Sequence, residues 1–317
     1  MKKTIALLWG LLLITNTSLC HANNAGTEKL TVMLDWSLNT THAPLVIAQQ
    51  QGYFKQQGLD VQLVTPNTPG NTTKIIAQKK ADIGLTYEPW FIEHVDQGAP
   101  IIQIGTLIDK PLNCIVALKR SGIKSLTDLK GKQIGTSSNH LTSTILTATL
   151  HKQGISNSDI NIVNINENLT QALLNHKVDA VSGMLRNLEV PMLEKSGHKI
   201  VVFFPEEHGM PNYSEVIFIS NRANANDPRF PKFLAAIKQA VRYLDDHPEL
   251  AWQQFTQQYP HLKNDLGRQI WFATLPYFAE NPMDFDHTEW HRFAEFMQQH
   301  KMISKAQPTT RYTVIAG

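Results

Sequence analysis

Cysteine is nearly missing from this chain: its 317 residues include two, Cys20 and Cys114. If Cys20 leaves with an amino-terminal leader, Cys114 has no internal disulfide partner, and an exported chain this long must be held by its core. A charge surplus is missing as well. The 29 basic and 27 acidic side chains give +2, an excess matched by Lys2 and Lys3 alone. No basic stripe therefore points to nucleic acid or an anionic membrane surface. After the first residues, no apolar run reaches the ~18 residues a membrane-spanning helix needs. Solenoid repeats, low-complexity tracts, and Gly-x-Ser-x-Gly, P-loop and His-Glu-x-x-His signatures are all absent. With 42% hydrophobic and 18% charged residues, the composition also excludes disorder, collagen and coiled coil, and the length suits two domains.

The start of the chain reads as an address. Lys2 and Lys3 precede an apolar run from Ile5 to Ile14, then polar Thr15, Asn16 and Thr17 and small Ser18. That order predicts a signal peptide over residues 1–22, cleaved after Ala22, and a periplasmic destination. The competing reading acylates Cys20. Leu19 stands where a lipobox carries a small residue, so cleavage is the expectation.

Strand and helix signals alternate from Leu30 onward. Strands are expected at Leu30–Leu34, Asp60–Val64, Ile83–Leu85 and Ile101–Ile104, with helices between them. The rhythm restarts after Ser125 and continues to a strand at Ile200–Phe203. Cys114–Leu118 and Glu215–Ser220 read as passages between units, and nearly everything after the second is helical. The expected architecture is α/β: two lobes, each a mostly parallel sheet flanked by helices, with a helical carboxy-terminal segment. Residues 28–116 plus 218–305 form lobe one and 117–217 form lobe two.

Open α/β sheets bind ligands beyond the carboxyl ends of their strands, so the residues that follow each strand are the candidates. They are Asp35, Trp36, Asn39 and His42; Tyr87, Glu88 and Trp90; Ser137, Ser138 and Asn139; Arg186, Asn187 and Glu189; and Tyr213 with Glu215. Flat aromatic walls suit a planar ring, and carboxylates suit its amino and ring-nitrogen donors. Arg186 is the conspicuous cation; it would touch ligand or pair with Glu189 or Glu215. Asp284, Asp286, His287 and His291 contain an i, i+4 histidine pair. No cysteine or catalytic glutamate completes it, so a solvated helix face is expected and no metal.

Two stretches carry a resemblance. They are Leu34-Asp35-Trp36-Ser37-Leu38-Asn39-Thr40-Thr41-His42-Ala43-Pro44-Leu45 and Gln51-Gly52-Tyr53-Phe54-Lys55-Gln56-Gln57-Gly58-Leu59-Asp60-Val61. With Lys80-Ala81-Asp82-Ile83-Gly84, Ser125 to Lys132 and Glu206-Glu207-His208-Gly209, the chain resembles substrate-binding proteins of ABC importers. The nearest group holds the thiamine-pyrimidine-precursor binders and the fungal pyrimidine synthases. The resemblance implies a type II periplasmic-binding-protein fold, a monomer, a membrane permease as partner and no cofactor. It also implies a hydroxymethylpyrimidine or formylaminopyrimidine ligand, read by Asp35, Trp36, Asn39, Thr40, His42 and Glu189. Leu38 replaces the group's proline, and Gly183 to Leu188 replace its aromatic residues. A riboflavin-like ring, an aliphatic sulfonate or nitrate oxyanion held by Arg186, and a sensor without transport stay open as alternatives. The synthases need a reactive lysine holding a pyridoxal cofactor and a cysteine-rich segment. Processing would leave Cys114 alone, so no enzyme activity is expected.

Overall fold

The computed structural model describes residues 27–66, 68, 70–137, 140–165 and 168–315. The expected signal peptide, with Cys20 and the cleavage after Ala22, lies outside them, as do Ser138 and Asn139.

Two mixed five-stranded sheets are built to one plan. The first half supplies β1 (Glu28–Met33), α1 (Ala43–Gln50), α2 (Tyr53–Gln56), β2 (Leu59–Val64), α3 (Thr72–Ala77), β3 (Ile83–Thr86), α4 (Glu88–Asp96) and β4 (Ile101–Ile108). After a crossing come β5 (Asn113–Leu118), β6 (Gln133–Thr136), α5 (His140–Lys152), β7 (Asn161–Asn164), α6 (Leu169–Leu174), β8 (Ala180–Leu185), α7 (Glu189–Lys195) and β9 (Ile200–Phe203). The chain then returns through β10 (Val216–Asn221) to α8 (Arg229–Asp246), α9 (Pro248–Gln258), α10 (Asp265–Thr274) and α11 (His287–Gln299). Strand order is β2-β1-β3-β10-β4 in one sheet and β7-β6-β8-β5-β9 in the other.

The expected passages are themselves strands. β10 runs antiparallel between β3 and β4, and β5 runs antiparallel between β8 and β9. Each sheet thus carries one antiparallel strand next to its parallel trio. The expected limits at 116/117 and 217/218 fall inside β5 and β10, each of which stays whole in one sheet. The chain also extends lobe one past 305: Gln103 donates its amide to the Tyr312 carbonyl at 2.8 Å.

Local chemistry explains the elements. α8 buries Phe230, Phe233, Leu234, Ile237, Val241 and Leu244 at three- and four-residue spacing, which makes one apolar stripe facing the sheet. Phe233 stacks on Phe54 of α2 at 5.4 Å. α3 ends at Ala77, before Lys79 turns to φ +57°. Among the described residues, no helix is long and apolar enough to cross a membrane.

Two seams join the lobes. Leu141, Ile145 and Ala148 of α5 share an apolar cluster with Tyr213, Phe293 and Phe296. Across the other seam α7 meets α10; Asn187 Nδ2 donates to Thr274 Oγ1 at 3.1 Å and Lys195 pairs with Asp265 at 3.2 Å.

Gly105 of β4 shows how closely lobe one is packed. A Cβ there would lie 2.9 Å from the Pro282 carbonyl oxygen, which the Thr106 amide already holds at 2.8 Å. We expect Gly105→Ala to lower unfolding free energy by ~1–3 kcal/mol in denaturant titration. An unchanged midpoint would show that this packing is loose.

Candidate functional site

The carboxyl ends of both sheets meet at a cavity of about 270 Å³. From lobe one come Asp35 and Trp36 beyond β1, and Tyr87, Pro89 and Trp90 beyond β3. Lobe two adds Ser137 beyond β6, Leu141, Thr142 and Ile145 of α5, and Ser182, Gly183 and Leu185 of β8. Asn113, Cys114, Pro205, Tyr213 and Glu215 line it from in and around the crossings. Strand ends and helix starts converge here because each parallel strand must hand over to a helix at that edge.

Asp35 is the best-supported group. Asn39 donates its amide to His42 Nδ1 at 3.1 Å, so the network puts the ring proton on Nε2, which donates to Asp35 Oδ1 at 2.9 Å. Tyr87 donates its hydroxyl to Asp35 Oδ2 at 2.7 Å. Burial would raise this carboxyl, yet the His42 and Tyr87 donors hold it below the ordinary aspartate range. Burial, and the Asp35 charge after it, pushes the Tyr87 hydroxyl well above its usual value. Tyr87 in turn meets the Trp90 ring edge-on at 4.8 Å. Trp36 stays 52% exposed at the mouth.

Glu215 is the second carboxylate. Its Oε2 accepts the Leu112 amide at 2.8 Å, and Asn113 Nδ2 lies 3.4 Å from both oxygens while also donating to the Tyr213 hydroxyl at 3.1 Å. Burial pushes Glu215 up to about 7, opposed by the Leu112 amide, the Tyr213 hydroxyl and the Arg186 charge. Cys114 donates to the Met184 carbonyl at 3.2 Å, and burial drives its thiol far above the ordinary range.

Several expected site residues sit elsewhere. Arg186 does not line this cavity; it pairs with Glu206 at 2.6 Å, lies 4.0 Å over the Phe204 ring and donates to the Asn113 carbonyl. Its partner is neither Glu189 nor Glu215. Glu189 caps the end of β8 by accepting the Leu185 amide at 2.8 Å, and Asn187 spans the seam to Thr274. Asn39 caps the turn at Thr40–His42 by accepting the Thr41 amide. His42 is fully buried behind Asp35. Asn113, Cys114, Thr142 and Ser182 were missed. They lie in a strand read as a passage, on a helix face, or before a strand end, where residues after strands were the signal.

Glu88 points away from the cavity as well. It is 1% exposed, its Oε2 accepts the Ser214 amide at 2.6 Å, and its Oε1 has no partner. Burial pushes it up to about 8, against the Ser214 hydrogen bonds. A carboxyl raised on folding adds stability that is complete below its unfolded value of ~4.3 and lost as pH rises through the folded value. Stability should therefore decline from about pH 4.5 to 8, and Glu88→Gln should flatten that decline. Denaturant midpoints at pH 5, 6.5 and 8.5 measure it; parallel curves for both proteins would refute the assignment.

Comparison with known proteins places this geometry. Residues 39–251 match the family model described as NMT1/THI5 like. A Haemophilus influenzae protein named for thiamine biosynthesis is 40% identical over 288 residues, 90% of this chain and 92% of its own. The formylaminopyrimidine-binding protein of Halalkalibacterium halodurans is 30% identical, covering 78% of this chain and 76% of its own. The aliphatic sulphonate binding protein of Escherichia coli shares the fold, with a TM-score of 0.74 over 90% of this chain and 97% of its own at 15% identity. The expectation of no enzyme does not stand. A Legionella pneumophila relative, 26% identical over 88% of each chain, is named 4-amino-5-hydroxymethyl-2-methylpyrimidine phosphate synthase, so close relatives include enzymes beside binding proteins. With the type II periplasmic-binding-protein fold and this match over most of its length, the chain belongs to the NMT1/THI5-like family.

Proposed function

We propose that the protein is a periplasmic solute receptor that closes its two lobes on the planar ring of an aminopyrimidine and delivers it to an ABC permease. The observation that carries this reading is the lining of the cavity. Trp36, Tyr87, Trp90 and Tyr213 supply aromatic surface, and Asp35 and Glu215 supply acceptors. Among the described lining residues there is no lysine, arginine or histidine. An aminopyrimidine matches that chemistry, since its faces stack and its exocyclic amino group donates. The names of relatives, a formylaminopyrimidine-binding protein among them, support the same solute class.

In this reading Trp36 closes over the ring, Tyr87 and Trp90 form the opposite wall, and Asp35 with Glu215 accept from the ring's amino group. Asn113, Ser137 and Ser182 supply polar contacts at its edge. A sulfonate or nitrate fits less well, because Arg186 is engaged by Glu206 and buried carboxylates repel an oxyanion. At about 270 Å³ the cavity falls at the small end of ligand sites, which run ~300–1,000 Å³. It suits a single ring.

Calorimetric titration of the ligand-stripped protein with hydroxymethylpyrimidine, its formylamino analogue, riboflavin, taurine and nitrate tests this. Pyrimidine binding is expected, with Trp36→Ala weakening it at least about threefold to tenfold through the lost stacking contact. Binding of taurine or nitrate alone would overturn the proposal.

A further inference from the structure

A second chamber of about 500 Å³ adjoins the first, and Asp35, Trp36, Tyr87, Leu185 and Glu215 line both. One side of it is aliphatic, with Leu38, Leu112, Leu188, Val216, Leu262 and Ile270, and the other is polar, with Ser37, Asn39, Thr40 and Thr41 from the loop and turn after β1. Asn187 also lines it, 2% exposed, with Nδ2 committed to Thr274 and Oδ1 buried without a partner. Again no lysine, arginine or histidine is among the described lining residues. Both shared carboxylates therefore stand at the junction, beside the Trp36 and Tyr87 rings.

We propose that the site takes a two-ring cation, with an aminopyrimidine in the first chamber and a positively charged ring, linked through one carbon, in the second. This rests on the pyrimidine reading above and extends it. A neutral single ring would leave the second chamber unfilled and the junction without positive charge. A cationic ring placed at the junction meets two carboxylates and two aromatic side chains, which attract it by charge and by cation–π contact. The aliphatic walls suit the ring's methyl and methylene groups. A hydroxyl on its side branch finds polar partners among Ser37, Thr40 and Thr41, which line the same chamber. A phosphate ester on that branch would enter a chamber with no cation to meet it, so the free alcohol is preferred over the ester.

The test compares hydroxymethylpyrimidine, thiamine and thiamine monophosphate by calorimetry on the wild type and on Ile270→Trp, Leu262→Trp and Ile270→Ala, with thermal melts confirming folding. Both tryptophan variants fill the second chamber. They should weaken thiamine at least about tenfold and leave hydroxymethylpyrimidine within about twofold. Ile270→Ala, which trims the same wall without filling the chamber, should weaken thiamine less than either tryptophan variant does, and the monophosphate should bind the wild type at least about tenfold more weakly than thiamine. Pyrimidine binding without thiamine binding overturns the second chamber and leaves the pyrimidine reading standing. So does thiamine binding that both tryptophan variants leave unchanged, or an equal loss of both ligands in a folded variant. Failure of both ligands on the wild type overturns the two readings together.

Discussion

The buried carboxylate of Glu215 ties the two crossings of the chain to each other, and the cleft takes its form from that tie. Glu215 stands at the end of the returning crossing and accepts the amide of Leu112 at the end of the outgoing one. Leu112 and its neighbour Asn113 are also gripped from lobe two, where the Arg186 amide donates to the Leu112 carbonyl and its guanidinium to the Asn113 carbonyl. A buried carboxylate costs several kcal/mol unless hydrogen bonds satisfy it. The crossing backbone supplies one of those bonds. The geometry of the crossings and the solvation of a cavity-lining acid are consequently one problem with one solution.

That solution also sets the sign of the field in the cleft. Arg186 is the nearest strong cation, and Glu206 with the Phe204 ring absorbs it at the lobe-two flank. Asp35 is kept ionised by donors on both oxygens, while His42 serves it from behind with its one ring proton. The cleft keeps acceptors and aromatic faces and has spent its positive charge elsewhere. Solved structures of sulfonate receptors share the fold at 15% identity. Shared architecture does not carry over this charge arrangement, since function resides in the site and not in the fold.

Much of the architecture was legible because periodicity is a local property. The apolar stripe of α8, the buried β3 and the tryptophan-bearing loop after β1 each show within a dozen residues. The strand-end rule also named Asp35, Trp36, Tyr87, Trp90, Tyr213 and Glu215, which line the cavity. What it could not show was the direction of each side chain. Glu88 and Glu189 stand at helix starts beside cavity residues, yet each turns to a backbone amide, of Ser214 and Leu185 respectively. Arg186 pairs with Glu206, twenty residues on, because β9 lies across β5 from β8 and the turn after β9 carries Glu206 to it. The strands β5 and β10 looked like passages because each pairs only with residues far away in sequence.

Selectivity then follows from what remains unpaired. Each carboxylate oxygen can accept two hydrogen bonds, and the protein provides one to each oxygen of Asp35. Capacity therefore remains at the carboxylate next to the cavity. In the proposed reading a solute with amino donors completes these sets as the lobes exclude water, whereas one without them leaves the acid desolvated and unsatisfied. Sites that demand a hydrogen-bond partner reject analogues lacking it more sharply than apolar pockets reject a missing methylene. In the proposed reading the aromatic rings hold a flat guest, and Asp35 of lobe one with Glu215 of the returning crossing decide which flat guest stays.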